Sequence, residues 1–181
     1  MIREARESDL PAILDIYNDA IVHTTAVYDE VPHTLEMRRE WYRQRIASGF
    51  PVFVFETETE GAVAGFASYG PFRPWSAYRY TAEHSVYVRA DCRGRGVGRA
   101  LLERVISHAT ERSFAVLVGG IDESNAASIR LHEAFGFAHS GTIRKAGYKF
   151  GRWLNLAFYQ LELPGPSPET LEANRSNGSG R

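Results

Sequence analysis

Two periods in the hydrophobic pattern divide the chain into predicted strands and helices. Residues 1–5 predict a short strand, and the apolar residues that follow recur at helical spacing after a capping Ser8 or Asp9. A second helix is predicted to begin at Thr34. The apolar runs 51–56 and 62–69 are separated by a turn that contains glycine, so they predict a β-hairpin.

Strand and helix patterns alternate in the second half of the chain, after a loop rich in aromatic residues and arginine. These predicted elements are, in order, strand 82–88, helix 98–112, strand 114–121, helix 125–135, and strands 139–149 and 153–163. Strands that alternate with helices indicate a parallel crossover, whereas hairpins indicate antiparallel pairs. The order predicts an α+β domain with a mixed sheet and helices on both faces.

Composition limits the classes of protein to which the chain can belong. With 21 basic and 22 acidic residues among 181, the net charge of −1 gives no field to attract nucleic acid or an anionic membrane. No apolar stretch approaches the ~20 residues of a membrane span, and the first residues are charged, unlike a signal peptide. The single cysteine, Cys92, excludes an internal disulfide and a multi-thiolate metal site. We therefore expect a cytoplasmic protein without a metal, nucleic-acid or membrane partner.

The domain is expected to end near residue 163. Residues 1–163 form one predicted domain, in which no internal repeat is found. Residues 164–181 are rich in Pro, Ser, Asn and Gly, a composition that predicts a disordered tail.

The segment 86–99 carries the clearest chemical signal, because a predicted strand passes through an arginine-rich turn with alternating glycines into a helix. Glycine allows positive φ and close approach of backbone N–H groups to a ligand, and the first N–H groups of a helix have no partner within it. Such a turn binds phosphate or pyrophosphate, although a tight turn with solvated arginines has the same pattern. The positive charge comes from Arg93, Arg95 and Arg99. Neither the dinucleotide fingerprint nor the P-loop motif fits the segment.

Two motifs in this half of the chain carry a family resemblance. Arg93-x-x-Gly96-x-Gly98 fits the signature Q/R-x-x-G-x-G/A, and residues 125–137 resemble the helix N-x-x-A/S-x-x-L-Y/H-x-x-x-G-F. Both signatures are those of the GNAT superfamily of acyl-CoA-dependent N-acetyltransferases. Three further segments resemble one subgroup of this superfamily, the phosphinothricin and methionine sulfoximine acetyltransferases. These segments are 16–20, 83–88 and 149–153.

The resemblance covers residues 2–163 and implies the GNAT acyl-CoA N-acyltransferase fold, with a central, mostly antiparallel sheet and helices on both faces. It also implies acetyl-CoA as co-substrate, bound through its pantetheine arm and its pyrophosphate, and a homodimer. The residues that it assigns to acetyl-CoA are Val86, Tyr87, Val88, Arg93, Gly94, Arg95, Gly96, Val97, Gly98, Arg99, Asn125 and Ser128.

Two residues are candidates for the proton transfers of amine acetylation. Glu83 resembles the base of the subgroup and would take a proton from the amine directly or through water; the alternative is a solvated carboxylate. His132 stands where many GNAT enzymes have tyrosine and would hydrogen-bond or protonate the departing sulfur; the alternative is a structural histidine. A backbone N–H near Val86 is the expected donor to the thioester oxygen. Cys92 is interpreted as an incidental thiol, because direct transfer needs no covalent nucleophile.

The loop after the predicted hairpin supplies the candidate substrate residues. Arg73 and Arg79 flank Tyr78 and would hold the carboxylate or phosphinate of an amino-acid-like substrate, with Tyr28 as a further wall. The alternative is an aromatic dimer contact. Asn155 departs from the subgroup, in which aspartate is common at this position.

The predicted activity is acetyl transfer from acetyl-CoA to a small amino acid of the phosphinothricin, methionine sulfoximine or methionine sulfone type. Two alternatives remain open, namely acetylation of a protein N-terminus or lysine, and a non-catalytic module that binds acyl-CoA.

Overall fold

The computed structural model describes residues 1–58 and 61–178, with side chains up to residue 173. The strands are β1 (Ile2–Glu4), β2 (Val52–Glu56), β3 (Val63–Pro71), β4 (Thr81–Val88), β5 (Val116–Asp122), β6 (Ala138–Lys149) and β7 (Arg152–Glu162). The helices are α1 (Leu10–His23), α2 (Leu35–Ala47), α3 (Val97–Glu111), α4 (Ala126–Glu133) and α5 (Pro168–Gly178). Among the described residues, no helix is both long and apolar enough to cross a membrane.

The seven strands form one mixed sheet in the order β1-β2-β3-β4-β5-β7-β6. The β4–β5 pair is parallel, whereas the other neighbouring pairs are antiparallel. Helix α3 makes the crossover between the two parallel strands, which cannot be joined by a short turn. The predicted mixed, mostly antiparallel sheet is confirmed.

Helices pack on both faces of this sheet, as predicted. The alternation of side chains in β2 separates the faces, because Phe53 packs in the cluster with Leu101 of α3. Its neighbours Val52 and Val54 pack on the opposite face with Ile13 of α1. Both faces are therefore covered by an amphipathic helix, and β4, near the centre of the sheet, is held between them.

The parallel strands separate partway along their length. Pairing of β4 with β5 runs from Thr81 and Val116 to His84 and Gly119 and stops there. Strand β4 nevertheless continues to Val88, paired with β3 on its other edge, and β5 continues to Asp122. The edge of β4 that faces β5 is therefore open from Ser85 onward.

Residues 168–178, which follow the predicted domain, are helical in the structure. The hydroxyl of Ser167 accepts a hydrogen bond from the backbone N–H of Thr170 at 3.3 Å, and Pro168 occupies the first turn. Both are signals for a helix start. The end of the domain near residue 163 and the disorder of the tail stay predictions.

Lys149, at the end of β6, fixes the carboxyl end of α1. It is 4% exposed, and its ammonium group donates hydrogen bonds to the carbonyl oxygens of Ile21, Thr24 and Val27 at 2.5, 3.0 and 2.8 Å. The last carbonyls of a helix lack partners within it and carry partial negative charge. The lysine therefore connects the β6–β7 hairpin to α1.

Replacement of this lysine tests the connection. We expect Lys149→Met to lower the free energy of unfolding by about 2–4 kcal/mol, because buried carbonyl groups lose their donor. Lys145→Met is the matched control, since Lys145 is exposed on the same strand. Urea unfolding followed by circular dichroism measures both variants, and an equal loss in the two would contradict the assigned role.

Candidate active site

A cleft opens where β4 and β5 separate. It encloses a cavity of about 80 Å³ between the end of β5, the open edge of β4 and the start of α4. Its walls include Ser85, Val86, Tyr87, Gly119, Gly120, Asp122, Asn125, Ser128 and His132. Free backbone groups of an extended strand and small side chains on the facing wall suit a narrow, peptide-like ligand.

The turn between β4 and α3 leaves the first backbone N–H groups of the helix available. Gly94 and Gly96 adopt φ of 73° and 81°, which favours glycine, and no atom lies within 4 Å of a Cβ built on either residue. Gly96 is the N-cap residue of α3 and provides no side-chain hydrogen bond. Gly98 differs, because a Cβ built on it would contact the side chains of Val88 and Leu131 at 3.5 Å, an ordinary van der Waals distance. An oxyanion can thus approach the N-terminus of α3 without meeting a side chain.

The three arginines of this turn are exposed and differ in their contacts. Arg93 pairs with Asp19 of α1 at 3.3 Å, and its Nε donates to the carbonyl of Val88. The guanidinium of Arg99 lies 4.9 Å from the ring centroid of Phe135. With Arg95, they surround the N-terminus of α3 with positive charge.

Asn125 and Ser128 lie on the opposite wall of the cleft. The side chain of Asn125 caps α4 by accepting a hydrogen bond from the backbone N–H of Ser128 at 3.1 Å. Both residues line the 80 Å³ cavity together with Val86 and Tyr87. The structure therefore brings four of the residues predicted to bind acetyl-CoA to one cleft, while their contacts with a ligand stay a prediction.

Glu83 lies on the other face of β4. Burial raises the pKa of its carboxyl group, and the charges of Arg73 and Arg45 partly oppose this shift. Arg45 of α2 was missed in the sequence; its guanidinium occupies the space over Gly70 and donates to the Tyr69 carbonyl at 3.4 Å. A partly buried carboxylate with a raised pKa is suited to accept a proton near neutral pH.

His132 is buried and makes two hydrogen bonds inside the protein. Its Nδ1 lies 2.7 Å from the carbonyl oxygen of Ser128, so Nδ1 carries the proton. Its Nε2 lies 2.9 Å from Nε2 of His84, which must then be the donor of that bond. Burial lowers the pKa of His132, and burial together with His132 lowers the pKa of His84 to about 3. Both rings are therefore neutral at pH 7, and the role of His132 toward sulfur stays a prediction.

Two adjacent glycines of β5 make room for these groups. A Cβ on Gly119 would lie 2.9 Å from Cε1 of His84, and a Cβ on Gly120 would lie 3.4 Å from Oε1 of Glu83. The two side chains lie on opposite faces, because neighbouring residues of a strand alternate. A pair of glycines inside a strand is the sequence signal that marks this close approach.

Tyr28 lies beside the end of β5, where it contacts Asp122, a residue of the cleft. Its hydroxyl donates to Asp122 at 2.9 Å, and the carbonyl of Asn155 lies within 3.1 Å. Asn155 uses its amide nitrogen to donate to Glu123 at 2.7 Å, whereas its oxygen accepts from the backbone of Lys145. An aspartate at position 155 cannot make the first of these bonds, so the asparagine suits this local network.

The arginine-rich loop between β3 and β4 remains at the surface. Arg73 stacks on Phe72 with its guanidinium 4.2 Å from the ring centroid, and Tyr78 contacts the same ring. Arg79 lies over Tyr80 at 5.2 Å. Of these predicted substrate residues, Arg73 acts electrostatically on Glu83, and none of the three lines the 80 Å³ cavity.

Cys92 lies apart from these groups. It is buried, and the guanidinium of Arg89 donates to its sulfur at 3.3 Å. Within residues 1–58 and 61–178, no three His, Cys, Asp or Glu residues form a group that could hold a metal ion.

Comparison with known proteins identifies the family. The chain belongs to the acetyltransferase (GNAT) family, whose model matches residues 11–137. The family resemblance inferred from the two motifs is confirmed, and with it the class of acetyl-CoA-dependent N-acetyltransferases.

Three similar proteins are more informative than the family alone, because each has a named activity. An L-methionine sulfoximine/L-methionine sulfone acetyltransferase of Pseudomonas paraeruginosa is 48% identical over 90% of this chain and 94% of its own length. The crystal structure of a phosphinothricin acetyltransferase from Sinorhizobium meliloti in complex with acetyl-CoA has a TM-score of 0.87 and 34% identity, covering 90% of this chain and 88% of that one. The structure of a ribosomal-protein-alanine N-acetyltransferase from Brucella melitensis has a TM-score of 0.87 and 51% identity, covering 90% and 99%.

The neutral histidine pair predicts a pH-dependent stability. Below pH 6.5 the unfolded chain binds protons that folded His84 does not bind, so the free energy of unfolding should fall by up to about 1.4 kcal/mol per pH unit for each such histidine. Urea unfolding between pH 7 and 5 measures this slope. His84→Gln should reduce it, whereas the exposed control His139→Gln should not. An unchanged slope in His84→Gln would show that folded His84 binds its proton as readily as the unfolded chain does, which would contradict its lowered pKa.

Proposed function

We propose that the protein transfers an acetyl group from acetyl-CoA to the amino group of a small amino acid of the methionine sulfone, methionine sulfoximine or phosphinothricin type. The observation that carries the proposal is the open edge of β4. The strand leads from this edge to the uncapped N-terminus of α3, and its residue Glu83 lies on the face of the sheet opposite to His132. The substrates named for the relatives support this choice.

The residues of the cleft fit acetyl-CoA. Backbone groups of Val86, Tyr87 and Val88 on the open edge would pair with the amides of the pantetheine arm. The N–H groups of 94–99 would bind the pyrophosphate, with the three nearby arginines as counter-charges. Bound acetyl-CoA supplies a thioester carbonyl that an amine can attack.

Glu83 would act as the base. A substrate ammonium group must lose a proton before its nitrogen has a free electron pair, and the carboxylate accepts that proton directly or through water. The amine nitrogen then forms a bond to the acetyl carbon while the carbon–sulfur bond breaks and the sulfur leaves as the thiolate of CoA. A backbone N–H near Val86 would stabilise the negative charge that develops on the carbonyl oxygen.

His132 would protonate or hydrogen-bond that thiolate. To do so, its Nε2 must leave the N–H of His84 and must itself carry a proton, because in the structure the proton is on Nδ1 and Nε2 is an acceptor. The neutral tautomer with its proton on Nε2 could hydrogen-bond the thiolate, whereas protonation of the thiolate would require the ring to bind a second proton first.

Acetylation of a protein N-terminus is a second candidate, which the Brucella relative favours. A peptide substrate needs an open groove. The cavity between α1, α2 and β4, on the same face of the sheet as Glu83, is instead lined by arginine and aromatic side chains. We therefore place the small amino acid first.

A homodimer in the cytoplasm is part of the proposal. Exposed aromatic side chains on the β6–β7 hairpin, those of Tyr148, Phe150 and Trp153, support a protein–protein contact there. The proposal includes no metal ion and no nucleic-acid or membrane partner.

An amine panel tests the activity. Acetyl-CoA is incubated with L-methionine sulfone, L-methionine sulfoximine, L-phosphinothricin, common amino acids and an alanine-terminated peptide, and free thiol is measured. We expect release with the first three compounds. Release with the peptide alone would favour N-terminal acetylation, and CoA binding without any amine-dependent release would indicate a non-catalytic module.

Glu83→Gln tests the base. We expect kcat to fall by about 10²- to 10³-fold at pH 7, with little change in KM for acetyl-CoA. Because burial raises the pKa of Glu83, activity of the unmodified enzyme should rise with pH through a limb above the usual range of a glutamate, and the variant should lack that limb. Glu103→Gln, at an exposed position of α3, is the control. An unchanged pH profile in Glu83→Gln would assign the limb to another group.

A further inference from the structure

A second and larger cavity lies on the Glu83 face of the sheet. It has a volume of about 310 Å³ and lies between α1, α2 and the adjoining strands β3 and β4. It shares the walls Ser85 and Tyr87 with the 80 Å³ cavity, so the two meet at the open part of β4. Its other walls include Tyr17, Arg38, Trp41 and Arg45.

Arg38 is the unusual group in this cavity. It is 3% exposed, and no aspartate or glutamate with a described side chain lies within ion-pair distance of it. One terminal nitrogen lies 3.1 Å from Nδ1 of His33, while Nε has no hydrogen-bond partner among the described groups. A buried N–H without an acceptor is costly, and a buried charge without a counter-ion is more so.

The two faces of this guanidinium group are held by aromatic rings. Its central carbon lies 3.9 Å from the ring centroid of Tyr17 and 4.7 Å from that of Trp41. Such stacking fixes the plane of the group, and the phenol of Tyr17 also favours its charge, but Nε remains without a hydrogen-bond partner. The arrangement leaves the in-plane edge of Arg38 suited to a bidentate oxyanion.

Lys149, which is also buried, provides a contrast to Arg38. Lys149 has three carbonyl oxygens as acceptors, which explain its burial without any ligand. Arg38 has no such set. Its burial therefore indicates a partner that arrives from outside the chain.

Contacts along the cavity connect Arg38 with the surroundings of Glu83. Arg38 stacks on Tyr17, whose ring contacts that of Tyr87 with centroids 5.3 Å apart. Arg45 lies in the same cavity, near enough to Glu83 for their charges to interact. An anionic group bound by Arg38 would therefore lie in the cavity that also reaches the neighbourhood of the expected base.

We propose that the 310 Å³ cavity is the acceptor-substrate site and that Arg38 binds the oxyanion of an amine-bearing acid there. This inference rests on the proposed acetyl transfer, and it goes beyond it by assigning the anion to α2. The oxyanion is either the α-carboxylate or a charged group on the side chain.

Four acceptors distinguish the two sources: L-methionine sulfone, L-phosphinothricin and the carboxamide of each. If Arg38 binds the carboxylate, Arg38→Met should raise KM for both acids about 30-fold and leave KM for both carboxamides nearly unchanged. If it binds the side-chain anion, the loss should follow phosphinothricin and its carboxamide and spare the sulfone. In either case kcat should change less than KM. Arg39→Met, the adjacent exposed arginine, should behave as the unmodified enzyme.

An equal loss on all four acceptors would overturn the proposal, because a purely structural stack affects every substrate alike. Arg38→Lys, which keeps the charge but not the planar edge, should retain the fold and still show the selective loss; it decides the question if Arg38→Met does not fold.

Calorimetry of L-methionine sulfone and of L-phosphinothricin with the CoA-saturated protein distinguishes a failure of the proposed binding site from a failure of the proposed acetyl transfer. Arg38-dependent binding of either acid without turnover would retain the site and defeat acetyl transfer, whereas turnover that is insensitive to Arg38 would defeat the site alone. Absence of binding and of turnover would defeat both.

Discussion

The separation of two neighbouring parallel strands is the constraint on which the site depends. Beyond His84, β4 continues along β3 while β5 continues along β7, so each strand keeps one full ladder of hydrogen bonds. The opening therefore leaves backbone donors and acceptors of β4 free without breaking the sheet. Because the same strand leads through 89–96 into α3, the extended edge and the helix N-terminus are fixed relative to each other. A ligand with an amide-containing arm and a diphosphate matches that combination.

Alternation along β4 then distributes the chemistry between two faces. Ser85 and Tyr87 line the cavity beneath α1 and α2, and Glu83 lies on the same face of β4, whereas His84 faces α4 and pairs with His132. Gly119 and Gly120 of β5 lie on alternate faces in the same way. The missing side chain of Gly119 leaves space for His84 on one face, and that of Gly120 leaves space for Glu83 on the other. An amine beside Glu83 would meet a thioester in the cleft through the gap in the sheet, at the level of Ser85. The sheet thus separates the two substrates everywhere except at the place where they must react.

Local sequence signals predicted much of this arrangement, because they act between near neighbours. Thr34 caps α2, and the turn with Gly94 and Gly96 adopts the positive φ expected of it. The groups that were missed depend on partners distant in sequence: His84 needs His132, and the unpaired edge of Arg38 becomes visible only when α2 lies over β4. Periodicity shows which face of an element is apolar, but it contains no information about which element covers that face. The order of strands, and hence the partners, follows from packing of the whole chain.

Charge balance links the missed groups to the proposed chemistry. Burial raises the pKa of Glu83 and lowers the pKa of Arg38 and Arg45, so each of these groups is less stable in its charged form than it would be in water. In the proposed complex, a zwitterionic amino acid would offer each of them what it lacks, since its anion would reach an arginine and its ammonium group would reach the carboxylate. Transfer of the ammonium proton to Glu83 would then leave a neutral amine and a neutral acid. Burial already favours the protonated form of Glu83, and it would therefore favour the form of the amine that can attack a thioester.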